Sequence, residues 1–182
     1  MQTKSFTQKC LVLRRTNVGE TDRIVTLLSQ EQGRFACVAK GVRKLKSSNR
    51  AYLEPGSLIT AHCIVTKSLP ILTQTTLVDD TSKMTQNLSA FRALSQILEI
   101  IDTLFVEEEI DHSVFMRAIK LRNQIVYNQA SAEIVRRQLA ELITKLGFQN
   151  PTLSPHETIT EYLQSLIGKP LHSYDFLKVG QS

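Results

Sequence analysis

Between Glu31 and Glu54 the chain carries six cations, Arg34, Lys40, Arg43, Lys44, Lys46 and Arg50, and no carboxylate. Cations at this density can grip a phosphate backbone, because each phosphate they neutralise releases condensed counterions. A merely solubilising loop has the same composition, so the run supports two readings. Arg14 and Arg15 could extend a nucleic-acid surface upstream. Nucleic-acid bases call for flat apolar partners, and here the first 80 residues offer only Phe6, Phe35 and Tyr52. Each ring could equally belong to a core, Phe35 more readily than Tyr52, which closes the basic run. With so few rings, affinity is expected to be mainly electrostatic and weakly selective.

A second feature is Arg136-Arg137, followed by Leu139, Leu142, Ile143 and Leu146. Two guanidiniums beside an apolar surface can clamp a carboxylate and seat an apolar side chain. A plain charged helix face is the competing reading, although arginine in a first helical turn opposes the helix dipole.

Enzymatic chemistry has little to stand on. Glu20 with Asp22 and Asp79 with Asp80 are carboxylate pairs without a neighbouring histidine, and the Glu107–Asp111 patch reads as a solvated helix terminus. His62, His112, His156 and His172 lack metal-ligand spacing, and no Cys-x-x-Cys occurs. Cys10, Cys37 and Cys63 are far apart and flanked by apolar residues, as buried free thiols are. Neither a Walker loop nor a Gly-x-Ser-x-Gly elbow is present. The expectation is a binding protein with no catalytic residue, no metal and no cofactor.

The elements that would position these groups change type near residue 80. Five short apolar runs precede it: Cys10–Leu13, Arg23–Leu28, Arg34–Lys40, Ser57–Thr66 and Pro70–Val78, with Gly and Pro at the joints. Five strands within 80 residues predict a small barrel, of OB or SH3-like type. Beyond it, apolar residues at Leu88, Phe91, Leu94, Leu98, Ile101 and Phe105 have helical spacing. Further helices are expected over Ser113–Tyr127, from an N-cap at Ser131 to Gly147, and from Pro155 to Gly168. These should pack as a bundle. Charge divides along the same line: residues 1–80 hold twelve Lys and Arg against six Asp and Glu, whereas the remainder is net −1. The basic part is therefore expected to meet a polyanion while the helical part does something else. No apolar run is long enough to span a bilayer and no leader-like stretch opens the chain, which points to the cytosol and to no membrane contact.

In order along the chain, Gly19-Glu20-Thr21-Asp22-Arg23-Ile24-Val25-Thr26-Leu27-Leu28, Gly33-Arg34, Val38-Ala39-Lys40-Gly41-Val42-Arg43-Lys44 and Leu53-Glu54-Pro55-Gly56 resemble the RecO family of bacterial recombination mediators. Arg136-Arg137 with Leu139, Leu142 and Leu146-Gly147-Phe148 is similar to that family's central helix, and Leu163–Gly168 with Lys169-Pro170-Leu171-His172-Ser173 to its closing motif. The resemblance implies an α+β chain: a five-stranded OB-fold over 1–80 that binds nucleic acid, and an all-α domain over 81–182 for protein partners. It implies binding of single- and double-stranded DNA, strand annealing, and recombinase loading with RecR on DNA coated by single-strand-binding protein. It also implies that the acidic, hydrophobic tail of that coating protein is recognised, which suits Arg136 and Arg137. Many members carry a cysteine-rich, zinc-finger-like module after the Leu-Gly-Phe/Tyr motif. Here Leu146-Gly147-Phe148 runs almost directly into Pro155 and the last helix.

Overall fold

In a computed structural model, residues 4–44, 47, 49–84, 87–105, 109–154 and 158–172 are described, with Asn49 and Arg50 in backbone only. Lys46, Glu107, Glu108, Pro155, His156 and Ser173 lie outside the described residues. The chain divides into two compact units, one of Met1–Ser82 with Phe105–Asp111, the other of Lys83–Leu104 with His112–Ser182. Phe105–Asp111 groups with the first unit, and its Ile110 N–H donates to the Gln30 carbonyl at 2.9 Å.

The first unit holds β1 (Ser5–Val18), β2 (Asp22–Ser29), β3 (Gly33–Ala39), a one-turn α1 (Asn49–Tyr52), β4 (Leu58–Ile64) and β5 (Ile71–Asp79). They close a barrel in the order β1-β2-β3-β5-β4. The expected Cys10–Leu13 run is only the apolar centre of a 14-residue strand. Its flanks look polar because Ser5, Thr7 and Lys9 face outward between inward residues. Ser5–Leu11 pair with β4 and Leu11–Val18 with β2, so one strand serves both seams. The interior is filled by Cys10, Val12, Val25, Leu27, Phe35, Cys37, Ile59, Ala61 and Cys63, spaced two apart as a pleated strand requires.

The second unit contains α2 (Leu88–Leu104), α3 (His112–Val126), α4 (Ala132–Lys145) and α5 (Ile159–Ile167). Leu94, Ile97, Leu98 and Ile101 of α2 are buried, whereas Leu88 and Phe91, read from spacing as core, are 62% and 58% exposed. Ser131 caps α4 by accepting from the Ile134 N–H. Thr158 and Glu161 form a capping box on α5, and Gly168 ends it with φ +65°.

All three cysteines sit inside the barrel at 0% exposure. Burial pushes the Cys10 thiol far above its ordinary value, and a hydrogen bond to Cys63 together with burial does the same to Cys37. The hydrogen bond with Cys37 instead holds Cys63 below its ordinary value, so what should keep all three thiols unreactive while the barrel is closed is their lack of exposure to reagent. A chromogenic disulfide reagent at about pH 8 should titrate none of the three quickly in native protein and all three in guanidinium.

Candidate nucleic-acid interface

Register decides which side chains share a face. Leu28 pairs with Arg34, Thr26 with Ala36 and Ile24 with Val38, while Val25, Leu27, Phe35 and Cys37 point inward. Arg34 is therefore on the outer face of β3, and Lys40 is exposed just past its end. On β1 a bulge between Val12 and Arg14 inserts Leu13 and changes the phase. Arg14, opposite Thr26, consequently faces outward and is exposed, whereas Arg15, opposite Val25, turns toward the interior.

Arg15 is thereby engaged with another group of the barrel. Its guanidinium lies 2.7 Å from the Glu54 carboxylate, which also faces the buried Arg23 at 3.8 Å. Arg23 in turn donates from Nε to the Asn17 side chain at 3.2 Å. Tyr52 is likewise drawn inward, half-buried against the barrel core. Phe35 is buried and meets Phe6 edge-to-face at 5.8 Å. Of the three rings only Phe35 is fully buried, and Phe6 and Tyr52 remain half-buried.

The basic run beyond β3 is not a mobile loop over its first part. Val42 is 2% exposed and belongs to the barrel core, anchoring the turn from beneath. Gly41, at φ +64°, supplies a conformation other residues adopt only under strain. Its N–H donates to the Asp22 carboxylate at 2.8 Å, and the Thr21 hydroxyl donates to the same oxygen at 2.9 Å. The Arg43 N–H reaches the Thr21 carbonyl and its guanidinium the Gly19 carbonyl, each at 2.9 Å. The Lys44 N–H closes the turn on the Gly41 carbonyl at 3.1 Å. Lys40, Arg43 and Lys44 are thus held together against the β1–β2 hairpin. Arg50 is the second residue of α1, with its side chain outside the described set.

Two cations were missed because each is isolated in the sequence. Lys67 lies in the 65–70 connection, where the Pro70 carbonyl accepts from the Val38 N–H at 2.8 Å. Lys4 is exposed, and its carbonyl accepts from the Val65 N–H at 2.9 Å. Backbone pairing, absent from any local motif, brings both alongside the barrel strands.

In the helical unit Arg137 lines a cavity of about 280 Å³ with Arg117, Lys120, Leu121, Gln138 and Glu141. Arg117 and Glu141 form an ion pair at 2.7 Å. Arg136, its exposed neighbour, does not line this cavity, and its Nε donates to the Ala132 carbonyl at 3.3 Å. Leu139 is 5% exposed and packs into the unit's interior, so it cannot serve as a docking residue without rearrangement. Arg117 and Lys120 escaped sequence reading because they come from another helix, α3. Among the described residues no group of three His, Cys, Asp or Glu could hold a metal ion, and no helix is long and apolar enough to cross a membrane.

A closed five-stranded barrel of this order, with a helix between β3 and β4, defines an OB-fold, a class of binding domain that commonly takes oligonucleotides. Residues 1–81 match the family described as "Recombination protein O N terminal". Proteins named DNA repair protein RecO align with the chain: that of Salinibacter ruber at 29% identity over 74% of this chain and 54% of its own length. Those of Cutibacterium acnes and a Nocardioides species share 32% and 35%, over 55% and 57% of this chain and 41% and 43% of theirs. The chain is thus similar to proteins named DNA repair protein RecO, matches the family's N-terminal domain over residues 1–81, and spans about half the length of the curated relatives it matches.

The Gly41 N–H, the Thr21 hydroxyl and, less strongly, Lys40 and Lys44 hold the Asp22 carboxyl below its ordinary value of 3.8. A depressed carboxyl stabilises above its unfolded value and loses that contribution as pH falls through the folded one. The Gly41 amide should therefore exchange slowly near neutrality and be deprotected in acid. Asp22→Ala should deprotect it, along with the Arg43 amide, at neutral pH, as read by hydrogen-exchange NMR.

Proposed function

We propose that this chain binds DNA through its barrel as a non-catalytic mediator of recombination repair. The observation that carries the reading is the turn at Lys40, Arg43 and Lys44, pinned by Asp22, Thr21 and Gly19. A grip pre-organised in this way loses little conformational entropy when it meets phosphates. Arg14 and Arg34 stand on the adjoining outer face and already engage other groups of the protein, so they have a secondary role. Kinship with proteins named for DNA repair supports the same assignment. Both single and double strands present the required phosphates, and annealing follows where cations screen the repulsion between two strands. RecR is the expected loading partner, by family resemblance.

The cavity bearing Arg117, Lys120 and Arg137 is assigned to the acidic tail of single-strand-binding protein. Three cations against one carboxylate favour an anionic peptide, and charge-assisted hydrogen bonds from arginine are the strong kind. An adaptor reading, in which the basic turn only solubilises the domain, predicts negligible DNA binding at about 50 mM salt.

Lys40→Glu, Arg43→Glu and Lys44→Glu together should abolish most single-strand binding, with an unchanged circular dichroism spectrum. Neutralising the same three with Gln should flatten the slope of log K against log salt by about 2, at about 0.7 per lost phosphate contact. Separately, Arg117→Ala with Arg137→Ala should weaken tail-peptide binding at least about tenfold, since hydrogen bonds to charged groups contribute about 1.5–3 kcal/mol each. Fluorescence anisotropy on bare DNA should show little change in that double variant, and parallel loss of both activities would merge the two sites.

A further inference from the structure

The helical unit carries another concavity, of about 490 Å³, that the acidic-tail reading does not use. Met116, Ile119, Lys120, Asn123 and Gln124 line it at intervals of three and four along α3, so they share one stripe of that helix. Gln129 completes the lining. Asn128 adopts a left-handed conformation at φ 51°, which folds the chain back so that the Gln129 N–H donates to the Gln124 carbonyl at 2.8 Å. The walls thus bear three carboxamides and one ammonium, with no carboxylate among them. Met116 is 47% exposed, whereas Ile119 is buried.

The Gln124 side-chain oxygen is buried and accepts no hydrogen bond. A buried acceptor without a donor is destabilising, and it marks a place where a ligand can supply one. Asn123 is already oriented, because its side-chain oxygen accepts from the Arg122 guanidinium at 3.0 Å and so leaves its NH2 as a donor. We propose that this groove binds a free adenine nucleotide. A carboxamide presents one donor beside one acceptor, and the adenine edge carries their complements, N7 and the N6 amino group. Guanine and hypoxanthine present two acceptors on that edge, which one amide cannot satisfy together. Met116 supplies a flexible, polarisable surface for the ring, and Lys120 a point charge for the phosphate.

Size and charge select this occupant over others. A volume of about 490 Å³ lies within the roughly 300–1,000 Å³ of small-molecule sites. One ammonium suits one phosphate group, whereas a strand calls for a row of cations. An acidic peptide would find a single cation here and three in the adjoining Arg137 cavity, which holds it better. Lys120 borders both sites, and their other lining residues differ. Nothing in this groove draws on the barrel.

Ligand-observed saturation-transfer NMR on the full chain, with titration, compares adenosine and inosine monophosphates. The adenosine nucleotide should bind at least about tenfold more tightly, the effect of one bidentate amide–base pair. Gln124→Leu should erase that difference and, by removing an unmet buried acceptor, leave the thermal midpoint unchanged or higher. Lys120→Gln should weaken both nucleotides alike. Arg117→Ala with Arg137→Ala should leave adenosine monophosphate binding unchanged, which separates the groove from the cavity beside it. Should Gln124→Leu fail to fold, the wild-type comparison of the two purines still decides. Equal affinity for both nucleotides would overturn the proposal, as would a Gln124→Leu protein that keeps the preference. So would an absence of saturation transfer at about 1 mM nucleotide. An adenine oligomer that outcompetes the mononucleotide on protein carrying Lys40→Glu, Arg43→Glu and Lys44→Glu would also overturn it, by assigning the groove to a strand.

Discussion

Closure of the barrel depends on a single long strand that must satisfy two neighbours. Ser5–Leu11 of β1 hydrogen-bond to β4 and Leu11–Val18 to β2, so no edge is left at either seam. Backbone groups unpaired in such a place would cost more than the few kcal/mol by which small domains are stable. The same strand must also change direction between its two partners, and the inserted Leu13 provides the bend. Placement of the arginines beyond it follows from that one extra residue.

Electrostatics on the barrel are accordingly sorted by side. Arg15 and Arg23 turn toward Glu54, where burial of a guanidinium is tolerated because it is paired. Lys40, Arg43 and Lys44 are kept on the surface by a scaffold that uses backbone donors, one carboxylate and a buried valine. Asp22 reduces the net positive charge of that turn, yet it orders the turn by accepting from Gly41 and Thr21. Order here is worth a partial loss of charge, because a fixed array of cations loses less freedom on binding than a loose one.

The helical unit builds its cationic cavity differently. Neither α3 nor α4 alone has a clustered charge motif, yet α3 brings Arg117 and Lys120 to face Arg137 of α4. Glu141 holds Arg117 at 2.7 Å, which sets the guanidinium in place at the cavity wall. Adjacent arginines in sequence point about 100° apart on a helix, so only one of Arg136 and Arg137 can line the same wall.

Sequence by itself determined the class of each element: periodicity of two before residue 80 and of about 3.6 after it, the Ser131 cap, the Gly168 stop and the buried cysteines. Those features follow from local backbone geometry and from which side chains leave water. It also located the basic run and, through ordered motifs, the resemblance to RecO proteins. Tertiary structure alone decided which cations share a surface. The bulge at Leu13 separates Arg14 from Arg15, and pairing across strands aligns Ile24, Val38, Ile71 and Ile64 from four strands. Packing also claimed Leu139 for the interior and half-buried Tyr52, while Arg117 and Lys120 line a cavity with Arg137 of a neighbouring helix. Such outcomes depend on register and on contacts between residues far apart in the chain, and no local pattern of side chains encodes them.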